Sequence, residues 1–376
     1  MNKNILIIGA GIGGLSTALA LKKIGIHCTI YESAKEIKPV GAGIVLANNA
    51  MQVYDKLGIR NKIESAGRKI SSIKICDASL NTILNTDLDP FEKKYRVYNV
   101  AIHRAELQKI LAEEFGYENI HLNKRVSKIE KDKTYILDFD DGSRVETEIL
   151  IAADGIHSIV RNQLFEHAKI RDTKQRCWRG VCEYDASDKY NEEAFEAWGD
   201  GTRFGFVKLH GNKVYWFAVI NENLMDDAKS VSSYFKNYHA DVVAIIEATK
   251  KEDIYFNSII DLEPIHTWQN GTACLIGDAA HATTPNMGQG ACQAIEDAYV
   301  ISKLLEKNTD FTFVFSEYQK LRMKKAHLVV NNSWRIGAFI HHPNRLVQKF
   351  RNFVFKRIPK SINNKQLELV FNINQF

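Results

Sequence analysis

Proline is scarce in this chain, six in 376 residues, and no other residue type is extreme enough to set a class by itself. The hydrophobic share is 45% and the charged share 25%, which excludes a disordered, collagenous or disulfide-dense chain. The six cysteines (Cys28, Cys76, Cys177, Cys182, Cys274, Cys292) are scattered and form no CxxC pair. They offer neither zinc spacing nor a disulfide framework, so no metal site is expected and a reducing cytoplasm is the default. Charge of one sign is also missing from the body. From His341 to Phe376 stand seven Lys/Arg against one acid, Glu368, so this tail is +6 of the total +5 and the rest is −1. A neutral body gives little support to nucleic-acid binding. The length suggests two or three domains.

The one long uncharged run is Asn4 to Leu21, behind Lys3, and Ala18-Leu19-Ala20 imitates a signal-peptidase site. Its internal pattern argues otherwise. Asn4 to Ile8 reads as a buried strand, Gly13 to Lys23 as a helix, and four glycines stand between and within them. The expectation is a cytoplasmic βα unit. Gly9-Ala10-Gly11-Ile12-Gly13-Gly14 fits GxGxxG through Gly9, Gly11 and Gly14. Gly9 allows the tight turn, Gly11 lets the backbone approach a pyrophosphate, and Gly14 lets the helix pack on the strand. The free N–H groups and partial positive charge of the helix N-terminus then face phosphate. A second β-rich run, His27 to Tyr31, ends at Glu32, which can accept hydrogen bonds from both hydroxyls of an adenosine ribose. This motif does not separate NAD from FAD.

Two later segments do. The apolar strand Glu148–Ala153 runs into Asp154-Gly155-Ile156-His157-Ser158-Ile159-Val160-Arg161, and the strand Ala273–Ile276 runs into Gly277-Asp278 and on to Gly288-Gln289-Gly290. A helix pattern follows from Ala291 to about Lys307. With GxGxxG, the DGxxSxxR segment and the GD segment in this order, the chain resembles the single-component FAD-dependent aromatic hydroxylases, the p-hydroxybenzoate hydroxylase superfamily. It is similar above all to the urate, 3-hydroxybenzoate and salicylate hydroxylase branches. His103-Arg104-Ala105-Glu106-Leu107 and Gly41-Ala42-Gly43-Ile44 match further family segments, over about residues 1–340.

The resemblance implies an α/β fold with a Rossmann-like FAD-binding domain, an interleaved β-sheet substrate domain and a C-terminal helical segment. The boundaries expected are 1–69, 98–168 and 263–340 for FAD, 70–97 and 169–262 for substrate, and 341–376 for the basic helical tail. It implies FAD contacts at Gly9, Gly11, Ile12, Gly13, Gly14, Glu32, Ser33, Ala42, Gly43, Arg104, Val126, Asp154, Gly277, Asp278, Pro285, Gly288, Gln289, Gly290 and Ala291. Within that set Asp278 would accept hydrogen bonds from ribityl hydroxyls, and the helix opening at Gly288-Gln289-Gly290 would place its positive end at the flavin N1–C2=O region. His281 reads as a structural histidine hydrogen-bonded into the loop rather than a catalytic one. NADH or NADPH would bind transiently, since no second GxGxxG unit is present. The activity implied is a monooxygenase that delivers one oxygen of O2, through C4a-hydroperoxyflavin, to a small, planar, electron-rich substrate. A flavin oxidase or dehydrogenase on the same scaffold, and a non-catalytic FAD-binding protein, stay open.

Between about Lys169 and Leu262 the pattern changes to short β-rich runs. Gly205–Leu209, the turn His210-Gly211-Asn212 and Val214–Val219 read as a hairpin, and Ile70–Ile75 is expected in the same sheet. Candidate catalytic residues are Arg203 and Tyr215, with Phe206 and Phe217 in the substrate pocket. The Arg203/Tyr215 spacing is similar to that of the urate hydroxylases, but where that branch has Asp after the loop proline, this chain has Asn286, and a neutral amide is no base. Trp178-Arg179-Gly180-Val181 also resembles the superfamily. The basic tail, with Phe350, Phe353 and Phe355, reads as an amphipathic helix packed on the body, and membrane contact is not expected. The partners expected are a small-molecule substrate and O2, in a monomer or homodimer.

Overall fold

The computed structural model describes residues 4–37, 42–165, 167–185, 190–226, 228–342 and 344–374; Gly41 lies outside them. The strand Ile5–Ile8 is buried at all four positions, as an apolar run sandwiched between helix layers must be. It pairs in parallel with Ile149–Ala152 on one side and Thr29–Tyr31 on the other. The complete sheet has six strands in the order Gln269–Asn270, Ala273–Leu275, Ile149–Ala152, Ile5–Ile8, Thr29–Tyr31, Ile120–His121. The strands that end at the GxGxxG, DGxxSxxR and GD segments are therefore adjacent, with all three loops at one edge of the sheet.

Helix Ile12–Lys23 covers this sheet and is covered in turn by helix Gly290–Leu305. Ala294 of the second helix sits so close to Gly13 and Gly277 that a Cβ on either would come within 3.2 and 2.9 Å of its own. The 30-residue helix Phe311–Ile340 packs on Gly290–Leu305 and on the Pro285–Met287 turn.

A second sheet has seven strands in the order Tyr255–Leu262, Ile170–Glu183, Lys213–Asn221, Thr202–Lys208, Glu193–Trp198, Ser72–Asp77, Thr82–Asp87. The expected hairpin is present as Thr202–Lys208 and Lys213–Asn221. The strand expected over Ile70–Ile75 is two strands. Arg68–Ile70 pairs with Asn99–His103 in a small separate sheet, and only Ser72–Asp77 joins the large one. The switch comes at Ser71, whose backbone N–H and C=O bond Glu192 and Leu88.

Register sorts the hairpin's side chains. Arg203 stands opposite Val219, Gly205 opposite Phe217, and Val207 opposite Tyr215, so these six share one face. The other face carries Phe204, Phe206, Trp216 and Ala218, which form a second core with Phe195, Phe235, Val242 and Ile245. Phe206 is therefore not beside Phe217 as the sequence led us to expect. It is stacked on Phe195 and edge-to-face with Tyr190, because an even-numbered position on this strand points away from Arg203.

The tail is two helices, Arg345–Phe355 and Lys360–Phe371, broken at Pro359. The second is tied down by Phe371 against Phe91 and by Gln52 donating to the Phe371 carbonyl. The first is packed on the body, as expected, through Gln348, Arg351 and Phe355, while Leu346, Phe350 and Phe353 face outward. Arg351 fixes this orientation: its guanidinium lies 4.6 Å over the Trp198 ring and donates to the Ile340 carbonyl.

Candidate flavin and substrate site

The GxGxxG loop shows three different uses of glycine. Gly9 has φ +102°, and a Cβ there would meet the Ala153 carbonyl oxygen at 2.4 Å. A Cβ on Gly14 would meet the Gly9 carbonyl oxygen at 2.0 Å. Around Gly11, in contrast, a Cβ would meet nothing within 4 Å, which leaves its backbone open to an approaching group. Ile12 begins the helix, so the N–H groups of its first turn point into that opening.

Glu32 follows the second strand. Its carboxylate accepts from the Ala10 N–H at 2.7 Å and from the Ala34 N–H at 2.8 Å, and Ser33 Oγ donates to it. These bonds fix the carboxylate against the glycine loop. Val126 begins the strand after Asn123 and Lys124, whose N–H groups bond the Ala34 and Glu32 carbonyls. On the other side of the loop, Arg104 caps the Ala42 carbonyl with its N–H and keeps its side chain exposed, and Gln108 donates to the Ala10 carbonyl.

Asp154 and Asp278 stand at the ends of neighbouring strands. Asp154 Oδ2 accepts from the Val160 N–H, while Oδ1 is buried with no partner among the described residues. Burial pushes its carboxyl up, against the pull of Ser158 and the nearby N–H groups. Asp278 is exposed at the start of the short helix Asp278–His281, after Gly277 at φ +55°. Pro285–Met287 forms one turn, Gly288 takes φ +61°, and helix Gly290–Leu305 starts behind Gln289 with Ala291 in its first turn. An orphaned acceptor, a free carboxylate, an open glycine backbone and two helix N-termini are the donors and acceptors a dinucleotide with a ribityl chain requires. The residues present fit FAD.

Beneath this loop lies a network the sequence did not reveal. Asp297 accepts from the Gly277 N–H at 2.9 Å, from His281 Nε2 at 2.7 Å and from Arg322 Nε at 2.8 Å. Glu296 accepts from Arg322, Lys325, Gln293 and Asn49. Both carboxylates are fully buried. Burial alone would raise Asp297, but His281 and Arg322 hold it below the ordinary carboxylate range. His281 is thus a loop-fixing residue. The one sequence signal was a pair of adjacent acids inside an otherwise apolar helix pattern; their partners come from Phe311–Ile340, far along the chain.

Arg203 and Tyr215 both reach the seam between the two sheets. Tyr215 lies on Gly43, so close that a Cβ there would meet the ring at 2.4 Å. Burial pushes its hydroxyl up to about 12, with Arg179 pulling the other way. Arg179 stands opposite Phe217 in the adjoining strand and so shares this face; no carboxylate ion pair holds it among the described residues. Arg203 is buried, donates from Nη2 to Asn286 Oδ1 at 2.7 Å, and lies 5.6 Å from the Phe217 ring centroid. Asn286 is itself fixed, donating to Thr284 Oγ1 and to the Ser333 carbonyl. Of the residues expected around a substrate, Arg203, Tyr215 and Phe217 share one face, Arg179 and Asn286 join them, and Phe206 does not.

The family described as FAD binding domain matches residues 2–310. The chain belongs to it. It is an FAD-dependent monooxygenase, as its relatives are. The chain is 35% identical to aurachin C monooxygenase/isomerase of Stigmatella aurantiaca, over 89% of this chain and 88% of that protein. It is 31% identical to an FAD-dependent urate hydroxylase of Klebsiella pneumoniae, over 86% and 87%. Among solved structures, Klebsiella pneumoniae HpxO complexed with FAD and uric acid superposes with a TM-score of 0.90 at 28% identity, covering 98% of this chain and 96% of that one. The loops that carry Gly9, Asp154 and Asp278 in the monooxygenase all lie within the matched residues 2–310.

Proposed function

We propose that this monooxygenase takes its electrons from NADH or NADPH and places one atom of O2 on a planar, electron-rich heteroaromatic substrate held against Arg203, Arg179, Tyr215 and Phe217. The balance is substrate C–H + O2 + NAD(P)H + H+ giving C–OH, water and NAD(P)+. Bound FAD supplies the hydride acceptance and oxygen activation. Residues 1–69, 98–168 and 263–340 hold the cofactor, and 70–97 with 169–262 cover the substrate. Asp278 and Glu32 bind hydroxyls of the FAD chain, and the Gly290 helix end stabilises negative charge on the ring edge it faces.

The observation that carries the substrate reading is the shared face of Arg203, Arg179, Tyr215 and Phe217, directed at the Pro285–Met287 turn. The Arg179 guanidinium favours a substrate bearing carbonyl or anionic oxygen, while Arg203 is already paired with Glu196 at 3.4 Å. Tyr215, with its hydroxyl pushed to about 12, keeps its proton at neutral pH and orients a ring acceptor by donating to it. Asn286 holds Arg203 and accepts no proton from substrate, so a substrate that must first lose a ring proton to a carboxylate, as urate would to the aspartate of its hydroxylase branch, is a poor fit. The test is NAD(P)H oxidation by the FAD-loaded protein, with urate and with neutral N-heteroaromatics bearing a ring carbonyl, followed by product mass. A product one oxygen heavier from the carbonyl heterocycles supports the reading. Fast, coupled turnover of urate would overturn the Asn286 argument, and oxidation with no oxygenated product from any substrate would favour an oxidase.

A further inference from the structure

The outer face of helix Arg345–Phe355 is built the wrong way round for a soluble surface. Leu346, Phe350, Phe353 and Val354 are 75%, 65%, 53% and 39% exposed. Their spacing of four, three and one puts them on one stripe of the helix. The opposite stripe, Gln348, Arg351 and Phe355, holds the helix to the body through Trp198 and the Ile340 carbonyl. The orientation is therefore fixed by buried contacts. It presents these four large apolar side chains to solvent, beyond the scattered single residues ordinary on a soluble surface.

Charge identifies what covers that stripe. From Arg345 to Lys360 the chain has six Lys/Arg and no Asp or Glu. Lys349, Lys356 and Arg357 are exposed around the apolar stripe, and the Arg357 guanidinium lies 3.6 Å from the Phe353 ring centroid. Every charge that the helix itself places beside the aromatic stripe is a cation, while Asp77 and Asp200 of the body line the cleft on its inner side with Gln348 and Arg351. Such a stripe complements a surface with an apolar interior and anionic headgroups. A second copy of this chain would bring the same cations face to face. Among the described residues no helix is long and apolar enough to cross a membrane, and an 11-residue helix lying flat needs only to reach the headgroup boundary.

We propose that the outer face of helix Arg345–Phe355 docks the protein on an anionic lipid bilayer. This inference is independent of which substrate is oxidised. It is tested with the full-length, FAD-loaded protein by flotation with two kinds of vesicle, phosphatidylcholine alone and phosphatidylcholine containing phosphatidylglycerol. The anionic vesicles should carry at least about ten-fold more protein at low salt, and added salt should reduce that excess. Phe350→Ser with Phe353→Ser should lower binding at least about ten-fold. Lys349→Gln with Lys356→Gln and Arg357→Gln should remove the preference for phosphatidylglycerol. Both variants should keep their FAD and their Tm, since none of these side chains touches the flavin loops. If the phenylalanine variant unfolds, Leu346→Ser with Val354→Ser tests the same stripe. Equal flotation with both vesicles, or binding undiminished by the serine variants, overturns the proposal. So does a dimer in sedimentation equilibrium that Phe350→Ser with Phe353→Ser dissociates.

Discussion

At the residue scale the flavin loops tolerate little. In Gly14→Ala the new methyl would collide with the Gly9 carbonyl, a backbone atom that cannot swing aside. The substitution should cost ~1–3 kcal/mol and release FAD; flavin absorbance after gel filtration and a denaturant midpoint measure both, and retention of FAD at full occupancy would refute the packing account. Tyr215→Phe removes only a hydroxyl from the seam. It should leave FAD content unchanged and divert NAD(P)H oxidation toward peroxide, read by comparing peroxide with product. A variant that changes stability while product yield stays intact would make Tyr215 a packing residue. Both residues were legible in the sequence, Gly14 by motif and Tyr215 by strand alternation. Phe206 was misplaced although its own strand separates it from Arg203: positions 203 and 206 differ in parity, and alternation puts them on opposite faces.

At the scale of elements, helices Gly290–Leu305 and Phe311–Ile340 are locked by ions rather than by apolar contact alone. Arg322 serves Glu296 and Asp297 together, and Asp297 in turn holds the Gly277 N–H. Arg322→Met would leave two buried carboxylates short of a cation. A loss of about 3–5 kcal/mol is expected, with FAD released at a lower temperature than in the parent. Unfolding followed in parallel by flavin and tryptophan fluorescence would show it; a variant as stable as the parent would mean that Lys325 and His281 suffice. Local pattern predicted helix Gly290–Leu305 to within two residues. It could not supply the partner of Glu296, which stands 26 positions away.

At the scale of the whole molecule, the strands, the long helix and the tail meet around His341. This ring is buried, and burial above all, with Arg203 and Arg351 nearby, lowers it to about 3 against the weaker opposing pull of the Gly201 backbone. The unfolded chain would protonate His341 near 6.5 and the folded chain only near 3, so its contribution is complete above 6.5 and is lost as pH falls toward 3. The limiting slope is about 1.4 kcal/mol per pH unit. Between pH 7 and 5, His341→Gln should lose about 2 kcal/mol less than the parent, measured as the change in urea unfolding free energy; equal losses would place the ring in contact with water.

The sequence by itself determined the Rossmann-like half. Gly9, Gly11 and Gly14, Glu32, the DGxxSxxR segment and Gly277-Asp278 each follow a strand, and a loop whose backbone must turn sharply or approach a ligand closely leaves few residue choices. Tertiary structure alone decided three things. It chose which face of the hairpin packs against Phe235, Val242 and Ile245, because alternation says only that the two faces differ and these partners come from later in the chain. It brought together Glu296, Asp297, Arg322 and His281, because the long helix returns across the loop. It turned Phe350 and Phe353 outward, because the amphipathic pattern of Arg345–Phe355 says that the helix has two faces, whereas the contact of Arg351 with Trp198 chose which one meets the body.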